Sequence, residues 1–330
     1  MKDLPSFESV LAPVIANYLH LRRALGRQDK AERCVLGRLD HFLAARIADL
    51  TPESFAHWCL TLEPLASGTR REHLRIVRNL CLYRRRGEPT CFVPDDQLFP
   101  PVHQRLRPHL FTDDELRRVL AQADALRPTG TSPLRSETFH LAIVLLFTTG
   151  LRRREVVRLT VRDYDRRERT LWIRDTKFHK SRVVPLSADA ACAIDSYLAI
   201  RRARRLPASP DSALLWLRER AGLTWSGDAF GHAMHELIRR AGIRTAAGRT
   251  PRVHDFRHGL AVRALLRWYR SEANVQAKLP VLARYMGHVS IASTAYYLGF
   301  LESVAGSASA RFAQHCGALI TPSPDLGGGQ

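Results

Sequence analysis

The feature of this chain that most constrains its fold is an ordered set of basic residues that ends in a pair of tyrosines. The basic residues, in chain order, are Arg152, Lys177, His254, Arg257 and His288. The tyrosines are Tyr296 and Tyr297, and Tyr297 completes the set. Arginine forks bind a phosphodiester at two oxygens at once, and the other cations can neutralise transition-state charge or move protons. A tyrosine can attack phosphorus and hold it covalently. A phosphoryl transfer without a metal ion needs such groups around one phosphate, so the fold has to bring these distant segments together.

The charge of the chain indicates a polyanionic partner. The 330 residues carry a net charge of +19, and the sequence pI is about 10.6. Residues 1–105 hold sixteen basic and twelve acidic side chains, a net of +4, so residues 106–330 carry the remaining +15. Neutralisation of phosphates and release of counterions drive binding of such a surface to nucleic acid. The main contact with the polyanion is therefore expected in the second part of the chain.

The sequence gives no sign of export, membrane insertion or a metal site. The N-terminus lacks a signal-peptide pattern, and no apolar run reaches the roughly 18 residues of a membrane span. The six cysteines form no C-x-x-C pair and show no spacing typical of zinc ligands. We therefore expect a cytoplasmic protein with reduced thiols, no cofactor, no metal and no contact with a membrane.

The first part of the chain is predicted to be helical. Apolar residues recur at helical spacing over residues 7–25, 30–47 and 69–83. A further helix is predicted to start at Thr51, because threonine is a good N-cap and Pro52 suits the first helical position. Five prolines between residues 87 and 110 then mark a linker.

A second domain is predicted to begin immediately after this linker, where Thr112 and Glu115 form a capping-box pattern. Helices are predicted over residues 113–126, 136–149, 187–203, 226–241, 256–270 and 278–286. Residues 136–149 are apolar on almost all sides and should be buried, with Gly150 as the C-terminal stop. Residues 170–174 and 181–186 are predicted to be two strands.

Three segments of this domain resemble the characteristic boxes of the tyrosine recombinases, the phage-integrase family. The sequence TGLRRREVVRL at residues 149–159 is similar to the first arginine box, and Asp163 stands where that box usually has an acid. HDFRH at residues 254–258 is similar to the second box, and residues 286–297 are similar to the last histidine and the nucleophile. The resemblance covers residues 110–300 and includes both the order and the internal spacings of the boxes.

The resemblance implies a role for each member of the basic set. Arg152 and Arg257 would hold the non-bridging oxygens of the scissile phosphate. Tyr297, nine residues after His288, would attack phosphorus and form a 3′-phosphotyrosyl bond. His288 would hydrogen-bond the phosphoryl group, and His254 is the candidate for accepting the tyrosine proton.

A lysine in the turn between the two predicted strands would protonate the departing 5′ oxygen. Lys177 and Lys180 compete for this role, and the family usually employs the first of two lysines three residues apart, which favours Lys177. Lys180 and Arg182 are then interpreted as residues that bind the DNA backbone or anchor the turn.

Four neighbours of these residues have plainer interpretations. Glu155 and Asp163 are expected to orient the first arginine and the local fold. His258 is interpreted as a buried structural hydrogen bonder rather than a catalyst. Because adjacent side chains on a helix point about 100° apart, only one of the two tyrosines can face the phosphate, and Tyr296 would pack inward or lie beside DNA.

One departure from the simplest family members concerns length. Arg257 and His288 are 31 residues apart, and the extra length falls around residues 268–274. This extra length and the turn that holds Lys177 and Lys180 resemble those of recombinases carried by transposable elements.

Together these observations predict a mainly α fold with a small β-sheet. A helical N-terminal DNA-binding domain would cover residues 1–105, with the linker at about 87–110, a catalytic domain at 111–305 and a C-terminal segment at 306–330 whose end is disordered. In this family such a helical arm wraps the far side of the DNA. The expected partners are double-stranded DNA, further copies of the chain in a tetramer on paired sites, and co-encoded recombinases.

Two alternative functions stay open at the sequence level. A type IB topoisomerase employs similar chemistry but rejoins the same strand, and a regulator could bind DNA without catalysis. The helical arm and compact chain favour recombination over the first, and the complete set of six side chains argues against the second. The chain has no P-loop and no acidic cluster suited to two-metal nuclease chemistry.

Overall fold

A computed structural model describes residues 7–27, 29–101, 108–174, 181–216, 225–271, 273–288, 290–298 and 300 of the chain. The chain divides into two compact units, residues 1–106 and 107–330. Each unit has its own apolar core. Lys177 and Lys180 lie outside the described residues, as do the predicted C-terminal segment and its end.

The described part of the first unit contains four α-helices around one core. They are α1 (Ala12–Ala24), α2 (Lys30–Ala44), α3 (Pro52–Thr61) and α4 (Ser67–Arg84). The predicted start of α3 is confirmed, since the Thr51 hydroxyl accepts a hydrogen bond from the backbone N–H of Ser54. The helix predicted over residues 7–25 begins later, at Ala12, because the backbone N–H groups of Glu8 and Ser9 donate to the buried Asp40 carboxylate instead.

The second unit contains eight helices in its described part. They are α5 (Asp113–Asp124), α6 (Arg135–Thr149), α7 (Arg153–Arg158), α8 (Ala188–Ala203), α9 (Gly227–Arg240), α10 (Val253–Arg270), α11 (Val275–Met286) and α12 (Ala292–Ala295). The predicted capping box at the start of α5 is confirmed by reciprocal bonds between Thr112 and Glu115. The apolar helix α6 lies at the centre and packs against α5, α8 and α10, as its all-round apolar sequence predicts.

A three-stranded antiparallel sheet completes this unit, with β1 (Tyr164–Asp165), β2 (Thr170–Ile173) and β3 (Arg182–Pro185) in that spatial order. Leu171 of β2 pairs with Val184 of β3, and both side chains are buried against the helices. The two predicted strands are confirmed, and so is the mainly α fold class with a small sheet.

In the second unit, α10 and α11 each begin three residues earlier than predicted. Helix α10 begins at Val253 because the Asp255 carboxylate accepts a hydrogen bond from the Arg252 backbone N–H. Helix α11 begins at Val275, where the Asn274 side chain caps the first turn. Within the described ranges no helix is both long and apolar enough to cross a membrane.

Candidate active site

The carboxyl end of α11 is held by three arginine side chains. Arg182 Nε donates to the carbonyl of Tyr285 at 2.9 Å, Arg257 Nη2 donates to that of Met286, and Arg152 Nη2 donates to that of Gly287 at 2.9 Å. A helix end leaves its last carbonyls without partners inside the helix, and cations there also favour the helix dipole. These bonds bring the two predicted arginine boxes to the segment that carries His288.

Arg152 is the N-cap residue of α7 and follows a sharp chain reversal. Gly150 ends α6 with φ of 61°, and a Cβ atom there would lie 2.6 Å from Leu260 Cδ2. A larger residue would therefore strain the backbone and force the Leu260 side chain to move. The backbone N–H of Arg152 donates to Glu155 Oε2 at 2.9 Å, and Arg152 Nη1 donates to Glu155 Oε1 at 2.8 Å. The Arg152 side chain remains 27% exposed, so it can meet a substrate.

Glu155 lies at the centre of the cationic side of the site. Its side chain is only 8% exposed and binds Arg152 and Arg182 together. Burial alone would raise the pKa of Glu155, but hydrogen bonds and positive charge from Arg182 and Arg152 lower it to about 2. Glu155 is therefore a carboxylate throughout the physiological range and orients Arg152, the role predicted for it.

Arg257 is buried in the first half of α10. Besides its bond to α11, its Nη1 donates to the carbonyl of Gly150 at 2.8 Å, and the residue is 1% exposed. Burial and the neighbouring charge of Arg152 lower the pKa of Arg257 to about 9, which leaves it cationic at neutral pH. The guanidinium therefore contributes a fixed positive charge where the ends of α6 and α11 meet.

Tyr297 lies in a small apolar cluster with residues of α10 and α11 and is 2% exposed. Its hydroxyl forms a 2.9 Å hydrogen bond with His258 Nδ1. Burial raises the pKa of Tyr297 to about 12, against the opposing charge of Arg257. In this arrangement the phenol is protonated at neutral pH and is bonded to a histidine.

His288 lies beside the same tyrosine. Its Nδ1 is 2.7 Å from Thr294 Oγ1, and its ring is nearly parallel to that of Tyr297 with centroids 6.3 Å apart. Desolvation, Arg257 and Arg152 lower the pKa of His288 to about 4. The neutral ring lies near both arginines and the tyrosine, and its predicted bond to the phosphoryl group stays a prediction.

His254 and His258 lie one turn apart on α10, with ring centroids 4.6 Å apart and an edge-to-face contact. His254 is exposed on its outer side, while desolvation on its packed side and the charges of His258 and Arg257 lower its pKa below the ordinary range. Desolvation also lowers the pKa of His258 to about 4. Both rings are therefore neutral at pH 7 and able to accept a proton.

His258 and Arg182 contact the proposed catalytic residues more directly than their positions in the sequence indicate. His258 was expected to form a structural hydrogen bond, and its partner is the hydroxyl of Tyr297 itself. Arg182, predicted to bind the DNA backbone or to anchor the turn, binds Glu155 and the end of α11, and its contact with DNA stays a prediction. The adjacency of His258 to the H-x-x-R box was the available signal for the first. No local signal in the sequence indicates the partners of the second.

The burial of the two tyrosines is the reverse of one expectation, in which Tyr296 packs inward. Tyr297 is the one packed inward, whereas Tyr296 is half-buried and makes ring contacts with His258 and Phe300. Their ring centroids are 5.4 Å apart. The alternative expectation, that Tyr296 is available beside DNA, stays a prediction.

The described part of the site combines two arginines at fixed positions, three neutral histidines and one phenol. Lys177, the predicted general acid, lies in the segment 175–180 outside the described residues. Guanidinium groups held by the protein stabilise phosphoryl charge without rearranging during the reaction. Neutral histidines next to a phenol allow proton transfer. The arrangement is therefore suited to nucleophilic attack by tyrosine on a phosphodiester.

Comparison with known proteins identifies relatives over most of the chain. The family model described as "Phage integrase family" matches residues 109–302. A putative integrase/recombinase of Sinorhizobium fredii, y4rB, is 32% identical over 297 residues, which cover 88% of this chain and 93% of that protein. Tyrosine recombinase XerD of Mycobacterium tuberculosis is 31% identical over 199 residues, 60% of this chain and 58% of XerD.

Solved structures agree on the fold. XerH recombinase bound to a palindromic difH substrate in a post-cleavage complex has a TM-score of 0.63 at 18% identity, covering 89% of this chain and 83% of that one. The Tn1549 transposon integrase in complex with transposon right-end DNA has a TM-score of 0.60 at 17% identity, covering 86% and 94%. Fold, sequence relatives and family match agree, and the chain belongs to the phage integrase family of tyrosine-type site-specific DNA recombinases.

Proposed function

We propose that this recombinase cuts and rejoins double-stranded DNA through a covalent bond between Tyr297 and a 3′ phosphate. The observation that carries the proposal is the convergence of Arg152, Arg257 and His288 at the end of α11, with Tyr297 beside them. Arg152 and Arg257 hold the non-bridging oxygens of the scissile phosphate, and His288 hydrogen-bonds the phosphoryl group. The covalent intermediate conserves the energy of the phosphodiester, so rejoining needs neither a nucleotide nor a metal ion.

Two proton transfers accompany this reaction. The Tyr297 hydroxyl loses its proton as it attacks, and His258 is the histidine already bonded to that hydroxyl. We therefore assign the first transfer to His258, with His254 next to it as the onward acceptor. Lys177 delivers the second proton, to the departing 5′ oxygen, as the family resemblance implies.

The remaining partners follow from charge and family. Residues 106–330 carry +15 of the +19 net charge and would bind most of the DNA, while the helical unit at residues 1–105 acts as an arm that adds contacts to the backbone. Four copies would assemble on paired sites in the cytoplasm, with co-encoded recombinases where the element supplies them. Integration, excision or transposition of a mobile element is the process served.

The decisive experiment is covalent trapping on a nicked suicide substrate in excess EDTA. The wild-type chain should form a protein–DNA adduct there, because the proposed cations are side chains. Tyr297→Phe should form none while binding DNA normally, and Tyr296→Phe is the matched control that should still form it. Adduct lost from Tyr296→Phe instead would move the nucleophile by one residue.

Three outcomes would support another function. Loss of cleavage in EDTA that Mg²⁺ restores would indicate a nuclease-like reaction. Binding of the site without any adduct from the wild-type chain would indicate a DNA-binding regulator. A chain that relaxes supercoiled DNA but never exchanges strands between two sites would behave as a type IB topoisomerase.

A further inference from the structure

We propose that Arg182 is a positioning residue that sets the place of Arg152 and of the end of α11, a role that rests on the proposed function. Arg182 opens β3, the strand that follows the Lys177 segment in the chain. Its side chain is 8% exposed and lies behind the Glu155 carboxylate. It therefore acts on the reaction through its neighbours.

The contacts of Arg182 use three of its nitrogen atoms. Nη1 and Nη2 donate to the two oxygens of Glu155 at 3.0 and 2.9 Å, and Nε donates to the Tyr285 carbonyl at 2.9 Å. A fork of this kind fixes both the distance and the plane of the carboxylate. One side chain thus joins β3, α7 and α11.

The Glu155 carboxylate, held in place by Arg182, in turn fixes the position of Arg152. The carboxylate accepts from Arg152 at both its backbone N–H and its Nη1, so the plane set by Arg182 determines where the Arg152 guanidinium points. Arg152 in turn donates to the Gly287 carbonyl, next to His288. A shift of Glu155 would displace a phosphate-binding arginine and the proposed histidine partner together.

Lysine cannot replace Arg182 in this geometry. An ammonium is a compact charge without the planar fork of a guanidinium. It can bind either the Glu155 carboxylate or the Tyr285 carbonyl, but it cannot hold both at fixed angles. The fit is also tight, because a Cβ atom at Gly287 would lie 2.9 Å from Arg182 Nη1. Arg182→Lys keeps the positive charge and removes the geometry.

The expected result follows from the sensitivity of catalysis to position. Misplacement of a catalytic group by about 1 Å can cost on the order of 10²-fold in rate. Arg182→Lys should therefore lower the single-turnover rate of adduct formation about 10²-fold. Affinity for the DNA site should change by less than about threefold, because the Arg182 side chain is buried and keeps its positive charge as lysine.

A matched control is Arg204→Lys. Arg204 also binds a carboxylate and a carbonyl, those of Glu137 and Pro133. Glu137 lies at the opposite end of α6 from Gly150, about 20 Å away by the helical rise. This control should cleave at the wild-type rate.

A substrate change separates positioning from a merely structural role. A methylphosphonate at the scissile position replaces one charged oxygen by a methyl group, so less charge is left for Arg152 and Arg257 to neutralise. If Arg182 acts through Arg152, the defect of Arg182→Lys relative to wild type should shrink at least tenfold on this substrate, in parallel with that of Arg152→Ala. A general loosening of the fold would give the same defect on both substrates and would overturn the proposal.

A second variant keeps the test decisive if Arg182→Lys does not fold. Glu155→Gln has the same shape but loses the charge, and it should show the same substrate dependence. Where both single variants fold, the double variant should be no slower than the worse single one, since both remove one chain of contacts. Full additivity, or a wild-type rate for the folded variant, would refute the positioning role. Absence of an adduct from the wild-type chain would instead refute the proposed function.

Discussion

The arginine side and the tyrosine side of this site are built in different ways. Arg152, Arg182 and Arg257 each donate to backbone carbonyls, and the first two also bind Glu155. They connect α6, α7, α10, α11 and the sheet. Among the described residues, the Tyr297 hydroxyl is bonded to one side chain, that of His258, and the ring packs against apolar side chains just after the four-residue helix α12. The phosphate-binding half is fixed by directional bonds, and the nucleophile half depends mainly on apolar contact.

This difference suits the two tasks. Charge stabilisation works best when the donors do not move during the reaction. A nucleophile that becomes covalently attached to DNA has to follow the phosphate, and apolar contacts permit such movement because they have no preferred direction. Substitutions on the two sides should therefore affect stability and catalysis in different proportions.

The largest effect is expected when the two phosphate-binding arginines are compared. Arg257→Ala leaves two buried carbonyls without donors and should lower the free energy of unfolding by about 2–4 kcal/mol. Arg152→Ala removes a partly exposed side chain, while Glu155 keeps Arg182, so its cost should be about 1 kcal/mol. Both should lower cleavage at least about 10²-fold. Denaturant unfolding and single-turnover cleavage measure the two quantities, and equal stability losses would contradict the buried role of Arg257.

A smaller effect is expected on the tyrosine side. His258→Phe keeps a ring of similar size but removes the partner of the Tyr297 hydroxyl, so it should lower the cleavage rate about 10²-fold at a stability cost of about 1 kcal/mol. His254→Phe is the paired variant and should have the smaller effect on rate. A larger defect in His254→Phe would return the primary proton acceptor to the residue that the sequence motif favours.

The smallest effect is a dependence of stability on pH that arises on the tyrosine side. The pKa values of His258 and His288 are about 4, below the ordinary 6.5, so the unfolded chain binds protons first on acidification. The free energy of unfolding should therefore be constant above about pH 6.5 and fall toward pH 4. Both side chains keep partial contact with water, which screens the shift, so the slope should be about 0.3 kcal/mol per pH unit for each histidine.

Glu155 has a pKa of about 2 and stays charged between pH 6.5 and 4, so the arginine side should not contribute to this loss of stability. Urea unfolding between pH 7.5 and 4.5 tests this, with the double variant His258→Phe, His288→Phe as the control. A double variant with an undiminished slope would show that the acid sensitivity arises elsewhere.

The sequence was sufficient for features encoded locally. The cap at Thr112, the stop at Gly150 and the two strands all depend on residues within a few positions, and each was predicted correctly. The family was also recognisable, because its boxes are short and ordered.

Features that depend on residues far away in the sequence could not be predicted. The start of α1 is displaced by Asp40, about thirty residues away in the chain. Helical geometry predicts that the side chains of Tyr296 and Tyr297 point in different directions, but the packing against α10 and α11 decides which one is buried. The fork of Arg182 joins residues 27 and 103 positions apart, a pairing without any local pattern.

The three arginines at the end of α11 have a further consequence for how the protein acquires activity as it folds. Their bonds to that helix end span 29, 103 and 135 positions of the chain. Closing such long loops is slow relative to forming helices, because the entropy of the intervening chain is lost before the contact forms. The catalytic domain should therefore regain its helical content before it regains cleavage. A chain still being synthesised cannot cut DNA until Tyr297 has emerged and the Gly287 carbonyl has met Arg152.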